Sequence, residues 1–255
     1  MRAQRPQQPF GTLMALAGGV DELTMAIREL PVVNRLIAGL PPGERDALLD
    51  QCENVELVFG DLLYRQHERY THAYFPLTAF ISLSGSTDGH PPMEIGMVGH
   101  EGMLGATLLL DLDLAPHQAV VQGSGTALRI DNSSLQNLLA DNPGLLKGLQ
   151  RYLFRLMAQV SQTTLCTGFH LVEMRLARWL LMSHDRSHSD YLHMTHQYLA
   201  DMLGVRRSAV TIASGILKKA RLIGYSRGII SILDRAGLEA AACGCYSAER
   251  FSIPD

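Results

Sequence analysis

A change of residue periodicity at Asn142-Pro143 constrains the fold of this chain more than any other feature. Before it, residues 55–130 contain short β-type runs such as VELVFGDLLY and AYFPLTAFISLSG, which Gly, Pro and Asp separate. After it, apolar residues recur every three or four positions, as they do on one face of an α-helix. The sequence therefore predicts an α+β protein in which an antiparallel β-barrel or jelly roll precedes a helical half.

Composition limits the class of protein. Of 255 residues, 47% are hydrophobic, which is enough for a substantial core. No apolar run approaches the roughly 18 residues of a membrane span, and the N-terminus lacks the layout of a signal peptide. We therefore expect a cytoplasmic protein without a membrane partner. The four cysteines are too few for a disulfide framework and predict free thiols.

Positive charge is concentrated near the C-terminus. From Leu171 to Arg235, ten Lys or Arg accompany five Asp or Glu, although the whole chain has a net charge of −3. A basic segment attached to an acidic body predicts a polyanionic partner for that segment. An incidental solvated face is the alternative interpretation.

The helical half opens with a narrow apolar stripe, whose residues step alternately by three and four positions: Leu146, Leu149, Leu153, Leu156, Val160 and Thr163. Such a heptad-like stripe favours a partner helix. We predict a homodimer with Leu149, Leu153, Leu156 and Val160 at its interface. Packing of this helix on its own β domain is the alternative.

The basic segment has the pattern of a helix-turn-helix. Thr195 can cap a first short helix, and Gly204 can end it. A second helix is predicted from about Arg206, with an apolar inner face at Val210, Ala213, Leu217 and Ala220. The following GYSRGIISI predicts two strands that turn at Gly228, a wing that carries Arg227.

Side-chain chemistry divides the roles on the second helix. An Arg fork can hold guanine O6 and N7, so Arg207 is the predicted base reader beside Arg206. Ser208 and Thr211 can supplement it, whereas Lys218 and Arg227 suit contact with phosphate. A solvated helix face is the alternative for Lys218.

The pattern TxxxLAxxLGxxRxxVxxxxxxLxxxxLIxxxxGxIxIxD, from Thr195 to Asp234, resembles the winged helix-turn-helix of the Crp/Fnr superfamily of bacterial transcription regulators. The order of β-rich domain, long helix and DNA module is also that family's. The resemblance implies a cyclic-nucleotide-binding-like sensor domain with a double-stranded β-helix fold and a homodimer on a palindromic promoter site. Contact with RNA polymerase is implied as well.

The resemblance suggests five regions. They are an N-terminal extension at 1–29, a β-roll sensor domain at 30–141, a long dimerisation helix at 142–168, a winged helix-turn-helix domain at 169–237 and a tail at 238–255.

Within this family pattern the recognition Arg falls on Arg207. The next position, often Glu, is Ser208 here, and a later base-facing Arg or Ser position is Ile212. Without Glu the helix lacks an acceptor for cytosine N4, and Ile212 offers only contact with a thymine methyl. These departures leave the target sequence undetermined.

The effector positions also depart from the cyclic-nucleotide pattern. Gly105 and Ala106 fall where the family has Gly-Glu, and His117 and Gln118 fall where it has Arg-Ser. A neutral His is a poor substitute for a bidentate guanidinium on phosphate. The resemblance thus implies a pocket at these four residues, and we expect an unidentified effector rather than tight cyclic AMP binding.

Cofactor ligands have no clear signature. Residues 1–30 contain no Cys, so we expect no iron–sulfur cluster of the oxygen-sensing kind. Haem stays open because five His lie in the β-rich region: His67, His72, His90, His100 and His117. The one-residue spacing of Cys243 and Cys245 is unusual for zinc and strained for a disulfide, so no metal ligands are predicted.

No motif supports catalysis, so we expect a protein that is not an enzyme. Two functions follow. The first is a DNA-binding transcription regulator, either responsive to a signal or constitutively competent with a vestigial pocket. The second is a ligand- or protein-interaction module that retains the fold without specific DNA binding.

Overall fold

The structure, a computed structural model, describes residues 34–187 and 189–250. The predicted extension at 1–29 lies outside this part of the chain, as does the end of the predicted tail. The described chain opens with α1 (Arg35–Ala38) and α2 (Pro42–Asp50). The buried Asn34 caps α1 through its side-chain oxygen and donates its amide to the carbonyls of Pro76 and Gly102, which fixes α1 on the β domain.

The β domain consists of two antiparallel sheets. Its strands are β1 (Glu53–Leu57), β2 (Leu62–Tyr64), β3 (His72–Pro76), β4 (Phe80–Gly85), β5 (Met93–Val98), β6 (Gln118–Gly123) and β7 (Gly125–Asp131). One sheet has the order β1-β7-β3 and the other β2-β6-β4-β5. Early strands thus pair with late ones, which is the wrapped topology of a jelly roll. The core includes fully buried Phe75, Phe80 and Ile130. The predicted β-roll is confirmed.

Three helices follow, α3 (Asn132–Asp141), α4 (Pro143–Phe169) and α5 (Val172–Arg186). Pro143 occupies the first turn of α4, where a missing backbone N–H costs least. The 27 residues of α4 span about 40 Å. One face of α4 packs on its own β domain: the Gln159 side-chain oxygen accepts from the Met97 N–H at 2.7 Å.

The C-terminal domain is a winged helix-turn-helix. It contains β8 (Tyr191–His193), α6 (His196–Leu203), α7 (Arg207–Lys219), β9 (Ile223–Ser226), β10 (Ile229–Ile232), α8 (Arg235–Ala241) and α9 (Cys245–Arg250). β8 and β9 flank β10 in one small sheet. The sequence predicts β9 and β10, but the short β8 was not foreseen. Among the described helices, none is long and apolar enough to cross a membrane.

The helix α5 joins the two domains by buried polar contacts. The Trp179 indole donates to one carboxylate oxygen of Glu94 on β5 at 2.8 Å, and Ser82 donates to the other at 2.6 Å. At the end of α5, Arg186 donates to Glu101 at 2.7 Å. Burial raises the pKa of Glu94 to about 7, although both hydrogen bonds and the charges of Arg186 and Arg178 act in the opposite direction.

Candidate nucleic-acid interface

Two local signals set the geometry of the helix pair. The Thr195 hydroxyl oxygen accepts from the Tyr198 N–H at 3.1 Å and caps α6. Gly204 ends α6 with φ +63° and ψ 39°, a left-handed conformation that favours glycine. The predicted cap and turn are therefore both present, and α7 starts three residues after Gly204.

The helix α7 has a buried and an exposed face. Val210, Ala213 and Leu217 are buried in the domain core. The side chains predicted to contact DNA are all exposed: Arg206, Arg207, Ser208, Thr211, Ile212, Lys218 and Arg227. Ala220, predicted on the inner face, is exposed because α7 ends at Lys219 and Ala220 is its C-cap. The exposed face also includes Ile216, so its middle is apolar.

The N-terminus of α7 is free to bind an anion. Its N-cap is Arg206, whose side chain makes no capping hydrogen bond. The first backbone N–H groups of a helix point away from its carbonyls and attract negative charge. Arg206 and Arg207 add two exposed guanidiniums at the same end. This arrangement suits a phosphate group beside the edge of a base.

A histidine orients one of the predicted contact residues. Nδ1 of His196 lies 3.0 Å from the Thr211 hydroxyl, which donates to the carbonyl oxygen of Arg207 at 3.1 Å. The Thr211 hydroxyl therefore accepts a hydrogen bond from His196, which requires the tautomer of His196 that is protonated at Nδ1. The imidazole also stacks on Tyr225, with ring centroids 4.4 Å apart. Burial, and then the charge of Arg207, lower the pKa of His196 and keep it neutral. These two hydrogen bonds thus fix the position of the Thr211 hydroxyl.

The wing places a further cation beside α7. Arg227 and Gly228 form the turn between β9 and β10, with φ of 50° and 81°. Two successive positive φ values are typical of a type I′ hairpin turn. Lys218 donates to the Tyr225 carbonyl at 3.3 Å, so its ammonium lies at the junction of α7 and the wing. The sequence did not indicate this contact or the stacked His196.

The four predicted effector residues lie on two segments of the β domain, two at the start of a 3₁₀ helix and two at the start of β6. Gly105, with φ +90°, begins a 3₁₀ helix, Ala106–Leu110, and an added Cβ there would be 3.4 Å from Ala73. Ala106 is buried, whereas His117 and Gln118 are half-buried. Burial lowers the pKa of His117, so this position carries no charge at pH 7. A separate open cavity of about 340 Å³ is lined by Thr78, Phe80, Gly123, Ser124, Ser187 and Ser189.

The predicted dimer stripe needs one correction. Leu149 is 0% exposed within the single chain, so it has no surface to offer a partner, and its assignment to the interface is wrong. It packs in the protomer because α4 covers its own β domain. Leu153, Leu156 and Val160 are half-buried. The strongly exposed apolar side chains on α4 are instead Phe154, Met157, Leu165 and, at the helix end, Phe169.

A cluster of three thiols and an imidazole lies where α4 meets the C-terminal helices. Cys166, His170, Cys243 and Cys245 place their ligand atoms within 4.8 Å of one another. Within the described residues, this is the only group of three or more such side chains that could hold a metal ion. The sequence gives no sign of this cluster, because 77 positions separate Cys166 from Cys243. The other described cysteine, Cys52, is a free thiol elsewhere.

Comparison with known proteins was consistent with this architecture. Residues 174–241 match the family model of the Crp-like helix-turn-helix domain. No curated protein matches the chain.

Solved structures share the fold over most of the chain. FixK2 from Bradyrhizobium japonicum is 15% identical, with a TM-score of 0.63 over 75% of this chain and 98% of its own. A CRP-family transcriptional regulator from Thermus thermophilus is 18% identical, with a TM-score of 0.62 over 74% of this chain and 96% of its own. The c-di-GMP responsive global regulator CLP from Xanthomonas campestris is 16% identical, with a TM-score of 0.58 over 75% of this chain and 99% of its own. At these low identities, the TM-scores establish a common fold.

Proposed function

Because the chain has the Crp/Fnr regulator fold and carries a Crp-like helix-turn-helix domain, we propose that it is a transcription regulator that binds specific double-stranded DNA. One observation carries the proposal. The uncapped N-terminus of α7 and the wing present Arg206, Arg207 and Arg227 as exposed cations around one helix of a size that fits the major groove.

The contacts divide into positioning and reading. Arg227 on the wing and the first backbone N–H groups of α7 hold phosphates on either side of the groove. Arg207, one residue inside the helix, reads guanine O6 and N7 with its fork. The methyl group of Thr211, whose hydroxyl is held by His196, and the exposed Ile212 contact thymine methyl groups. We therefore propose a half-site with a guanine flanked by thymines.

A second copy of the chain completes the DNA-binding unit. Phe154, Met157 and Leu165 are exposed on α4, with 62%, 68% and 51% of their surface accessible. Leu153, Leu156 and Val160 flank them and are partly covered by their own chain. A face of this kind on a helix that is already packed on its other side fits the same face of a second copy. The dimer then binds two half-sites about 34 Å apart on a palindromic promoter, where it contacts RNA polymerase.

The β domain has the role of a sensor for a signal other than cyclic AMP. Ala106 and the neutral His117 provide neither the carboxylate nor the guanidinium that hold a ribose and a cyclic phosphate in the family's cyclic-nucleotide members. The fold accommodates other signals, since CLP is described as c-di-GMP responsive. An isothermal titration that gives micromolar affinity for cyclic AMP would overturn this part of the proposal.

Arg207→Ala tests DNA reading directly. On a duplex selected by the wild type, the variant should lose about 1–3 kcal/mol of binding free energy and discriminate less against mismatches. Lys218→Ala is the control: its ammonium lies beside the wing, so it should weaken selected and random duplexes equally. Fluorescence anisotropy measures both. Equal losses on both duplexes for Arg207→Ala would show that Arg207 does not read bases and would favour the fold acting as an interaction module.

A further inference from the structure

The cluster of Cys166, His170, Cys243 and Cys245 lies outside the DNA-binding surface and outside the β-domain pocket. Cys166 is on the last turn of α4, and His170 follows four residues later, directly after the helix ends. The backbone N–H of His170 donates to the carbonyl of Cys166 at 3.1 Å. Residues four apart on a helix share one face, so both side chains point to the same side.

The other two ligands come from the turn before α9 and from the first residue of α9. The Tyr246 N–H donates to the Cys243 carbonyl at 3.0 Å, which closes a tight turn through Gly244. That turn brings the thiols of Cys243 and Cys245 to one side despite their unusual spacing. The Tyr246 hydroxyl donates to Asp185 at 2.8 Å and accepts from Arg235 at 2.8 Å, which anchors α9 on α5. The four side chains are therefore held on fixed elements.

Two of the distances between ligand atoms are close to those of a tetrahedral site and too long for a disulfide. The Cys166 and Cys243 sulfurs are 3.4 Å apart, as are the Cys245 sulfur and Nδ1 of His170. With Zn–S near 2.3 Å and Zn–N near 2.0 Å, the edges of a regular tetrahedron are about 3.5–3.8 Å. A disulfide requires a separation of about 2.05 Å and would leave the third thiol and the imidazole unused.

Burial and charge favour the same occupant. All three thiols are buried and His170 is half-buried, with Met174 packed against the cluster. Zinc with three thiolates and a neutral imidazole has a net charge of −1. Two guanidiniums on α5, Arg175 and Arg178, are buried nearby, and their charges act on Cys166. They provide the positive charge that a buried anionic complex requires.

We propose that this cluster is a zinc site with three Cys ligands and one His ligand, which fastens the end of α4 to the C-terminal helices. The four protein ligands fill the coordination sphere, so the site is structural and leaves no position for a substrate. It lies at the junction from which α5 leads into the DNA-binding domain. Zinc therefore holds the orientation of that domain relative to α4. The site does not depend on the proposed DNA binding.

Metal content of the full-length protein tests the proposal. The protein is purified under reducing conditions, incubated with ZnCl₂, dialysed and analysed by inductively coupled plasma mass spectrometry. We expect about one zinc per chain. Cys243→Ser and His170→Gln should lose most of it, whereas the matched control Cys52→Ser should keep it. His170→Gln changes a half-buried residue beyond the helix end, so it separates loss of a ligand from loss of the fold.

Two further measurements on the wild type need no variant. Cobalt(II) in place of zinc should give the intense visible bands of a tetrahedral thiolate site. Chelation of zinc should lower the melting temperature by about 5 °C or more, because a ligand bound only by the folded state stabilises it.

Three results would overturn the zinc site. The first is a wild type that retains less than about a tenth of a zinc per chain, where a closed four-ligand site should stay filled. The second is zinc content that is unchanged in both Cys243→Ser and His170→Gln. The third is a protein isolated with a Cys166–Cys243 disulfide that, once reduced, takes up no zinc.

Discussion

Met157→Glu on α4 is the sharpest test of the proposed dimer. Apart from Phe169 at the helix end, Met157 is the most exposed large apolar side chain on this helix, with 68% of its surface accessible in the single chain. Full burial of a Met side chain contributes about 1.5–3 kcal/mol, so burial of this exposed portion contributes about 1–2 kcal/mol. A two-fold dimer contains the residue twice, which gives about 2–4 kcal/mol before any penalty for burying two carboxylates.

The expected change is large enough for a direct assay. Each 1.4 kcal/mol changes a dissociation constant tenfold, so the dimer should dissociate at concentrations about 30- to 700-fold higher than for the wild type. Sedimentation velocity over a dilution series measures this constant. The variant should also bind an isolated half-site and a palindrome with more similar affinities.

Val58→Glu is the matched control for this experiment. Val58 is also exposed and apolar, at 58%, but it lies in the turn between β1 and β2 rather than on α4. The Val58→Glu variant introduces the same negative charge as Met157→Glu without altering the proposed interface. If Met157→Glu and Val58→Glu give the same dissociation constant as the wild type, the interface on α4 is refuted.

Three further predictions concern stability, and urea unfolding tests each. Gly204→Ala should lower the free energy of unfolding by about 1–2 kcal/mol, because the φ of +63° at Gly204 disfavours a side chain. Gly215→Ala is the control: an added Cβ there meets nothing within 4 Å, so this variant should raise the free energy of unfolding by about 0.5–1 kcal/mol. A loss of stability in both variants would contradict the prediction. Thr195→Ala removes the cap of α6 and should cost about 0.5–2 kcal/mol; no change would show that the cap is not needed. Glu94 has a pKa near 7 when folded, above its ordinary value of 4.5, so stability should fall by about 3 kcal/mol as pH rises from 4.5 to above 7. Glu94→Gln should remove that part of the pH dependence, and an unchanged slope would contradict it.

The sequence predicts the DNA-binding domain well because its signals are local. A capping Thr195, a left-handed Gly204 and a wing turn at Gly228 each require only a few neighbouring residues. Hydrophobic periodicity likewise predicts which face of α7 is buried. These elements depend on backbone conformation and on the spacing of apolar residues, and both are visible in one sequence.

One residue of the apolar face of α4 was assigned incorrectly, because a long helix can bury two faces. The regular stripe through Leu149 suggested a partner helix, but the protomer uses that end of the stripe against its own β domain. Periodicity shows that a face is buried and does not show what buries it. The exposed Phe154 and Met157 do not form a regular heptad, so the sequence pattern alone did not select them.

The cysteine cluster could not be predicted since its ligands are distant along the chain. Cys166 and His170 end one helix, and Cys243 and Cys245 lie more than seventy residues later. Neither pair has a familiar zinc spacing, and only the packing of α9 on α4 and α5 brings them together. The Glu94–Trp179 contact is similar, since 85 positions separate the two residues.

Selection of bound fragments from genomic DNA most directly tests the central claim that α7 and the wing read duplex DNA. Wild-type protein is incubated with sheared DNA at low ionic strength, with and without small molecules from a cell extract, and the retained fragments are sequenced. We predict enrichment of a palindrome whose half-sites lie about one helical turn apart, and its loss with Arg207→Ala. Retention of no fragment under either condition, or of fragments without a common motif, would contradict the account.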